Sequence, residues 1–192
     1  MINKKDSHFS YQYDFNTNEF DKDWFINNLI DTYSQKVYLI AFSYVKDKGV
    51  AEDISQEVFL KCYKSLENFR GDASIKTWIY RITVNTAKDY LKKNSSMLLN
   101  FPNLFFESRR KGESTEDIYL KNSQNEYLIQ IVHSLPVKYR EVIILHYFHE
   151  LKIEEMGDAL DTNINTVKTR LARGRSMLRK KLDSKKGEMP NV

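Results

Sequence analysis

Apolar residues recur at three- and four-residue steps through most of this chain, as they do in helices that bury one face. Phe25, Leu29, Tyr33, Val37, Ile40, Ala41 and Tyr44 predict a helix over residues 23–45. Asp47, Lys48 and Gly49 read as a turn, and Ile54, Val58, Cys62 and Leu66 predict a second helix over residues 50–66. A loop over residues 68–73 follows, and Ser74 is placed to cap a third helix running to residue 93. The pattern fails over residues 94–115, which hold Pro102, Gly112 and the basic run Arg109-Arg110-Lys111 and so predict a linker. Its apolar patch of Leu98, Leu99, Phe101, Leu104, Phe105 and Phe106 either docks on a partner or covers a domain face. Residues 116–134 predict a fourth helix, and Pro136 opens a fifth, to residue 148, as a first-turn proline. Residues 1–20 read as a mobile leader and residues 185–192 as a tail.

Two further helices lie in residues 151–181. Ile153, Met156, Ala159 and Leu160 share a face, and Asp161, Thr162 and Asn163 make a polar break whose side chains bond their own backbone. Asn165 is the expected N-cap of the last helix, which buries Val167, Leu171 and Leu178. Gly157, costing about 1 kcal/mol against alanine inside a helix, implies close approach of a second helix, as in a helix-turn-helix. The expected fold class is therefore all-α: two helical domains, 21–93 and 116–184, joined by a flexible linker, the C-terminal one containing the helix-turn-helix.

Charge sharpens this picture. The whole chain of 192 residues carries only +4, from 30 basic and 26 acidic residues. Between Thr162 and Lys181, however, seven cations (Lys168, Arg170, Arg173, Arg175, Arg179, Lys180, Lys181) face no acid, a local +7. Like charges four apart on a helix repel, so an anionic partner explains the choice, and a helix in the DNA major groove reads bases near its N-terminus. Thr166, Lys168, Thr169 and Arg173 occupy that early, outward position. From Ser74 to Lys93, five cations against Asp89 give +4, interleaved with Trp78, Tyr80 and Tyr90. Unstacked bases rest on aromatics while cations follow the backbone; Trp78 serves equally well as a core residue. On the second helix Asp53, Gln56, Glu57 and Leu60 form a row apart from the apolar face. Such a row suits either a basic partner or plain solvent.

These blocks carry a family resemblance. INTVKTRLARGRSMLR, preceded by PVKYREVIILHYFHELKIEEMGDAL, resembles the promoter-recognition end of bacterial extracytoplasmic-function (ECF) sigma factors of the sigma-70 family. D-x-x-Q-E-x-F, here Asp53, Gln56, Glu57 and Phe59, is similar to the family signature that grips the beta-prime clamp helices of RNA polymerase. W-x-Y-R-I-x-x-N-x-x-x-D-x-L, starting at Trp78, resembles the family helix that meets the −10 element, and the loop from Phe69 to Ala73 the one that captures a flipped promoter base. The resemblance covers about residues 33–93 and 125–182. It implies −10 contacts from Arg70, Gly71, Asp72, Lys76, Trp78, Arg81, Asn85 and Lys88, and −35 contacts from Thr166, Lys168, Thr169, Arg170, Ala172 and Arg173. It implies as partners core RNA polymerase (beta-prime clamp helices and beta flap), promoter DNA and an anti-sigma factor. Two positions depart from the family pattern: Lys92 stands where arginine is frequent, and Asp161 where glycine is, a left-handed turn position that Asp tolerates.

The remaining composition excludes more than it adds. No run of eighteen apolar residues and no signal-peptide core is present, so a cytoplasmic protein without membrane insertion is expected. Cys62, the single cysteine, sits among apolar positions as a structural thiol. There is no phosphate-cradling glycine loop, no metal spacing and no nucleophile–base set, so neither an enzyme nor a cofactor is expected; His146 and His149 read as core or rim residues. The competing functions are a helix-turn-helix regulator that works without core polymerase and a helical adaptor that binds only proteins.

Overall fold

The structure, a computed structural model, describes residues 21–69, 71–100 and 123–186. Among them are seven α-helices and no strand. They are α1 (Lys22–Val45), α2 (Lys48–Ser65), α3 (Ile75–Asn100), α4 (Ser123–His133), α5 (Val137–Tyr147), α6 (Ile153–Leu160) and α7 (Ile164–Lys186), with a 3-10 turn at Leu66–Asn68 after α2. The leader at residues 1–20, Arg70, the linker from residue 101 on and the tail from residue 187 lie outside the described residues.

Local chemistry sets the helix boundaries. Asp21 accepts the Trp24 amide at 2.9 Å and starts α1. Lys46, in the left-handed region at φ 58°, ends it by donating its N–H to the Phe42 carbonyl at 2.8 Å. Asp47 accepts the Val50 amide at 3.0 Å. The cap therefore precedes Lys48, and Lys48 and Gly49, read from sequence as turn, are already helical. Ser74 caps α3 as expected, accepting the Thr77 amide at 3.1 Å.

Three other boundaries depart from the sequence reading. Helix α3 continues to Asn100 rather than stopping at residue 93, because Ser95 and Ser96 are no breakers and Met97, Leu98 and Leu99 are strong helix formers. Pro136 is the N-cap of α5, not its first residue: its ψ of 143° is extended, and its carbonyl accepts the Tyr139 and Arg140 amides. Asn163, not Asn165, caps α7, its side chain accepting the Asn165 amide at 2.8 Å.

The break between α6 and α7 has the expected form. Asp161 closes α6 in the left-handed region at φ 50°. A Cβ on Gly157 would stand 3.2 Å from the Thr162 carbonyl oxygen and 3.6 Å from Ile164, so a larger residue would push the turn back by a few tenths of an ångström.

In the N-terminal module α1, α2 and α3 pack on Leu29, Val37, Ile54, Val58, Ile79 and Val84. In the C-terminal one α5, α6 and α7 enclose Val142, Leu145, Met156, Leu160, Val167 and Leu171. The buried side chains of both modules form one contiguous cluster, because α3 packs on α6 and α1 on α5. Arg140, 3 % exposed, ties the α4–α5 turn by donating to the His133 and Leu135 carbonyls at 2.7 and 3.3 Å.

Candidate nucleic-acid and polymerase interfaces

The first turns of α7 are amphipathic in the way a groove-reading helix requires. Val167 and Leu171 are buried, whereas Thr166, Lys168, Thr169, Ala172 and Arg173 are exposed. Thr169 fixes its rotamer by donating to the Asn165 carbonyl at 2.8 Å. Lys138 and Tyr139, in the first turn of α5, complete a surface groove with Asn165, Thr166, Thr169 and Arg173. A hydrogen bond with the Arg173 guanidinium holds the Tyr139 hydroxyl below the usual phenol range. Sequence reading singled out neither Lys138 nor Tyr139. Their only trace is a basic–aromatic pair just after Pro136, which periodicity does not mark.

Arg170 behaves differently from its neighbours. Its Nη1 donates to Glu141 Oε1 of α5 at 2.9 Å. The Glu141 carboxylate is only 3 % exposed, and its other oxygen accepts the Tyr44 hydroxyl at 2.6 Å and pairs with Lys88 Nζ at 3.3 Å. Burial, and then the facing Glu141 charge, push the Tyr44 hydroxyl well above its ordinary value.

On α2, Asp53, Gln56 and Glu57 are exposed in a row that continues to Leu60, which is 60 % exposed. Ile54, Val58 and Cys62 are buried on the opposite side. Glu57 pairs with Lys61 at 2.8 Å, and Lys61 also reaches Thr86 of α3 at 3.1 Å. Phe59 is half-buried against the core.

In the loop before α3, Gly71 adopts φ 75°, and an added Cβ would meet nothing within 4 Å, so backbone conformation alone calls for glycine there. Asp72 is exposed beside it. Trp78 is half-buried with its ring 5.1 Å from Phe69, so it anchors the loop while staying partly exposed. Arg81 and Asn85 are exposed, and Lys76 and Lys88 are half-buried. Of these, Arg81 pairs with Asp161 at 3.6 Å and Lys88 with Glu141. The α3 face and the start of α7 are therefore joined through Asp161 and Glu141.

Residues 29–97 match the family described as Sigma-70 region 2, and residues 125–178 the one described as Sigma-70, region 4. The chain is 37 % identical over 151 residues to RNA polymerase sigma factor SigV of Bacillus subtilis (strain 168), covering 78 % of this chain and 86 % of that one. It is 31 % identical over 176 residues to ECF RNA polymerase sigma factor SigW of the same organism, covering 84 % and 90 %. The chain belongs to the ECF sigma factors of the sigma-70 family. As a sigma factor it binds core RNA polymerase and promoter DNA and acts in transcription initiation. The fold of this sigma factor superposes with a TM-score of 0.70 on the sigma factor RpoE co-crystallised with the anti-sigma factor NepR from Bartonella quintana, at 21 % identity, over 85 % of this chain and 98 % of that one. Sigma factors as a family are not enzymes. Among the described residues no helix is long and apolar enough to cross a membrane, and no group of three His, Cys, Asp or Glu could hold a metal ion.

Proposed function

We propose that this sigma factor reads a −35 element with the first turns of α7 and handles the melted −10 element with the loop before α3 and α3 itself. The observation that carries this reading is the split of α7 into a buried side, Val167 and Leu171, and an exposed basic side that begins at a capped N-terminus. Base readers are Lys168, Arg173 and the hydroxyls of Thr166 and Thr169, with Ala172 setting which base edge fits; Lys138 and Arg170 flank them toward phosphate. On the −10 side Gly71 and Asp72 shape the loop, Trp78 offers its edge to an unstacked base, and Lys76, Arg81, Asn85 and Lys88 track the strand. Asp53, Gln56 and Glu57, backed by Phe59, hold the beta-prime clamp helices, and the C-terminal module meets the beta flap. The protein catalyses nothing itself, works in the cytoplasm and is held in check by an anti-sigma factor.

Selection of duplexes from a random library by holoenzyme, assembled from purified core polymerase and this chain, tests the reading. The expected product is a two-part motif that supports run-off transcription and loses its upstream half with Arg173→Ala. Recovery of one undivided motif by the free chain, without core, would instead identify a regulator that acts alone.

A further inference from the structure

Tyr139 stands in the first turn of α5 and shares a surface groove with Lys138, Asn165, Thr166, Thr169 and Arg173. Its hydroxyl accepts a hydrogen bond from the Arg173 guanidinium, and Lys138 Nζ lies over its ring, 5.1 Å from the centroid. One half-buried phenol thus holds two cations in a groove lined, among the described residues, by no acid. The phenol is mounted on firm backbone. The Tyr139 amide donates to the Pro136 carbonyl at 2.9 Å, and the next residue, Arg140, is buried with its guanidinium on the His133 and Leu135 carbonyls. The Tyr139 carbonyl meets α7 one residue beyond Arg173: a Cβ on Gly174 would stand 3.3 Å from that oxygen and 3.1 Å from Ile143 Cγ1. Tyr139 and Arg173 are therefore fixed to each other at the backbone as well as through the hydroxyl.

We propose that Tyr139 is a positioning residue for −35 readout: its hydroxyl holds the Arg173 guanidinium in the pose from which it meets a base edge. This rests on the assignment of Arg173 to a base made above. Arg173 is exposed, and without a partner its long side chain would sample many rotamers that binding must freeze. Restraint before binding reduces that cost. The bond need not break on contact, because a guanidinium carries more N–H donors than a bidentate base contact uses. Lys138, held over the same ring, is placed for a neighbouring phosphate. Tyr139 supplies no positive charge of its own, so its loss acts on discrimination through Arg173.

The test measures base preference with holoenzyme assembled from core polymerase and the full chain. The probes are the duplex that parent holoenzyme selects from a random library and its single base-pair variants across the upstream half. The parent is compared with Tyr139→Phe, Arg173→Ala and the double variant. Tyr139→Phe keeps the ring beside Lys138 and removes only the hydroxyl. Arg173→Ala should flatten preference at one base pair. Tyr139→Phe should lower preference at that same base pair roughly three- to tenfold, the scale of one hydrogen bond, and leave the other positions as they are. In the double variant it should add nothing to Arg173→Ala. Preferences identical to the parent's in Tyr139→Phe, or weakened evenly at every position, would overturn the positioning role while the Arg173 assignment stood. If Arg173→Ala flattened no position, that assignment would fail and the positioning role with it. Fluorotyrosine labelling of the full chain supplies a second readout. The fluorine resonance absent from Tyr139→Phe should titrate at higher pH once Arg173 is replaced by alanine. An unmoved titration would show that the hydroxyl does not hold Arg173 and would overturn the proposal.

Discussion

Arg170 and Glu141 are 2.9 Å apart, although 29 positions separate them in the chain. This contact divides two arginines that look equivalent on α7. Arg173, exposed in the groove, should read sequence: Arg173→Ala is expected to cost about 1–3 kcal/mol of discrimination at one base pair. Arg170→Ala should instead leave Glu141 short of a partner and destabilise the fold by about 1–3 kcal/mol. Melting curves set beside binding to a panel of −35 variants separate the two. Equal effects of both substitutions on base preference would remove the distinction.

The row Asp53, Gln56, Glu57 should matter to polymerase and not to the fold. Exposed substitutions usually stay within about ±0.5 kcal/mol, whereas truncating a charged group at an interface centre costs about 2–5 kcal/mol. Asp53→Ala combined with Gln56→Ala should abolish core binding in pull-down while circular dichroism and Tm hold. Undiminished affinity for core would move the polymerase contact elsewhere.

Acid should loosen the molecule before its carboxylates titrate fully. Burial holds His133 and His149 down at about 4, with Arg140 adding to the effect on the first and Lys36 and Lys76 on the second. A free imidazole titrates near about 6.5, so between those values the unfolded chain binds more protons than the folded one. The stability these groups contribute is complete above about pH 6.5 and falls as pH drops toward 4. Urea midpoints at pH 7 and pH 5 measure the fall, and His149→Leu should flatten it. A variant with the parental slope would show that His149 is not a source.

Cys62 should be inert in the native state. It is fully buried, and burial pushes its thiol up to about 12, so almost no thiolate exists near neutral pH. A thiol-reactive dye at pH 8 should label it only as fast as the protein unfolds. Rapid labelling without denaturant would contradict the packing of α2.

Much of this was legible in the sequence, and the rest failed for identifiable reasons. The helices of residues 151–181 announced themselves because apolar spacing, turn residues and one-sign charge all coincide there. The polar row on α2 was separable from Ile54, Val58 and Cys62 by phase alone. Cap positions slipped by one or two residues at Pro136 and Asn163, because several neighbouring residues have cap chemistry and only backbone geometry chooses among them. The Glu141 cluster left no mark at all: Tyr44 lies 97 residues away, and a carboxylate inside an otherwise helical pattern looks the same whether it meets water or three partners. Lys138 and Tyr139 were missed for the same reason, since their groove exists only once α5 lies beside α7.

The corner between α1 and α2 carries a kinetic implication. Lys46 and Asp47 are its whole length, one locked in a left-handed conformation and the other spent as a cap. Helix α2 therefore has almost no freedom to pivot on α1, and the proposed polymerase face of Asp53, Gln56 and Glu57 is held in one shape. Docking there freezes no loop, and little of the contact energy is lost to ordering. Encounter with polymerase on this side should be a rigid-body event, its rate set by diffusion, orientation and ionic strength rather than by a folding step.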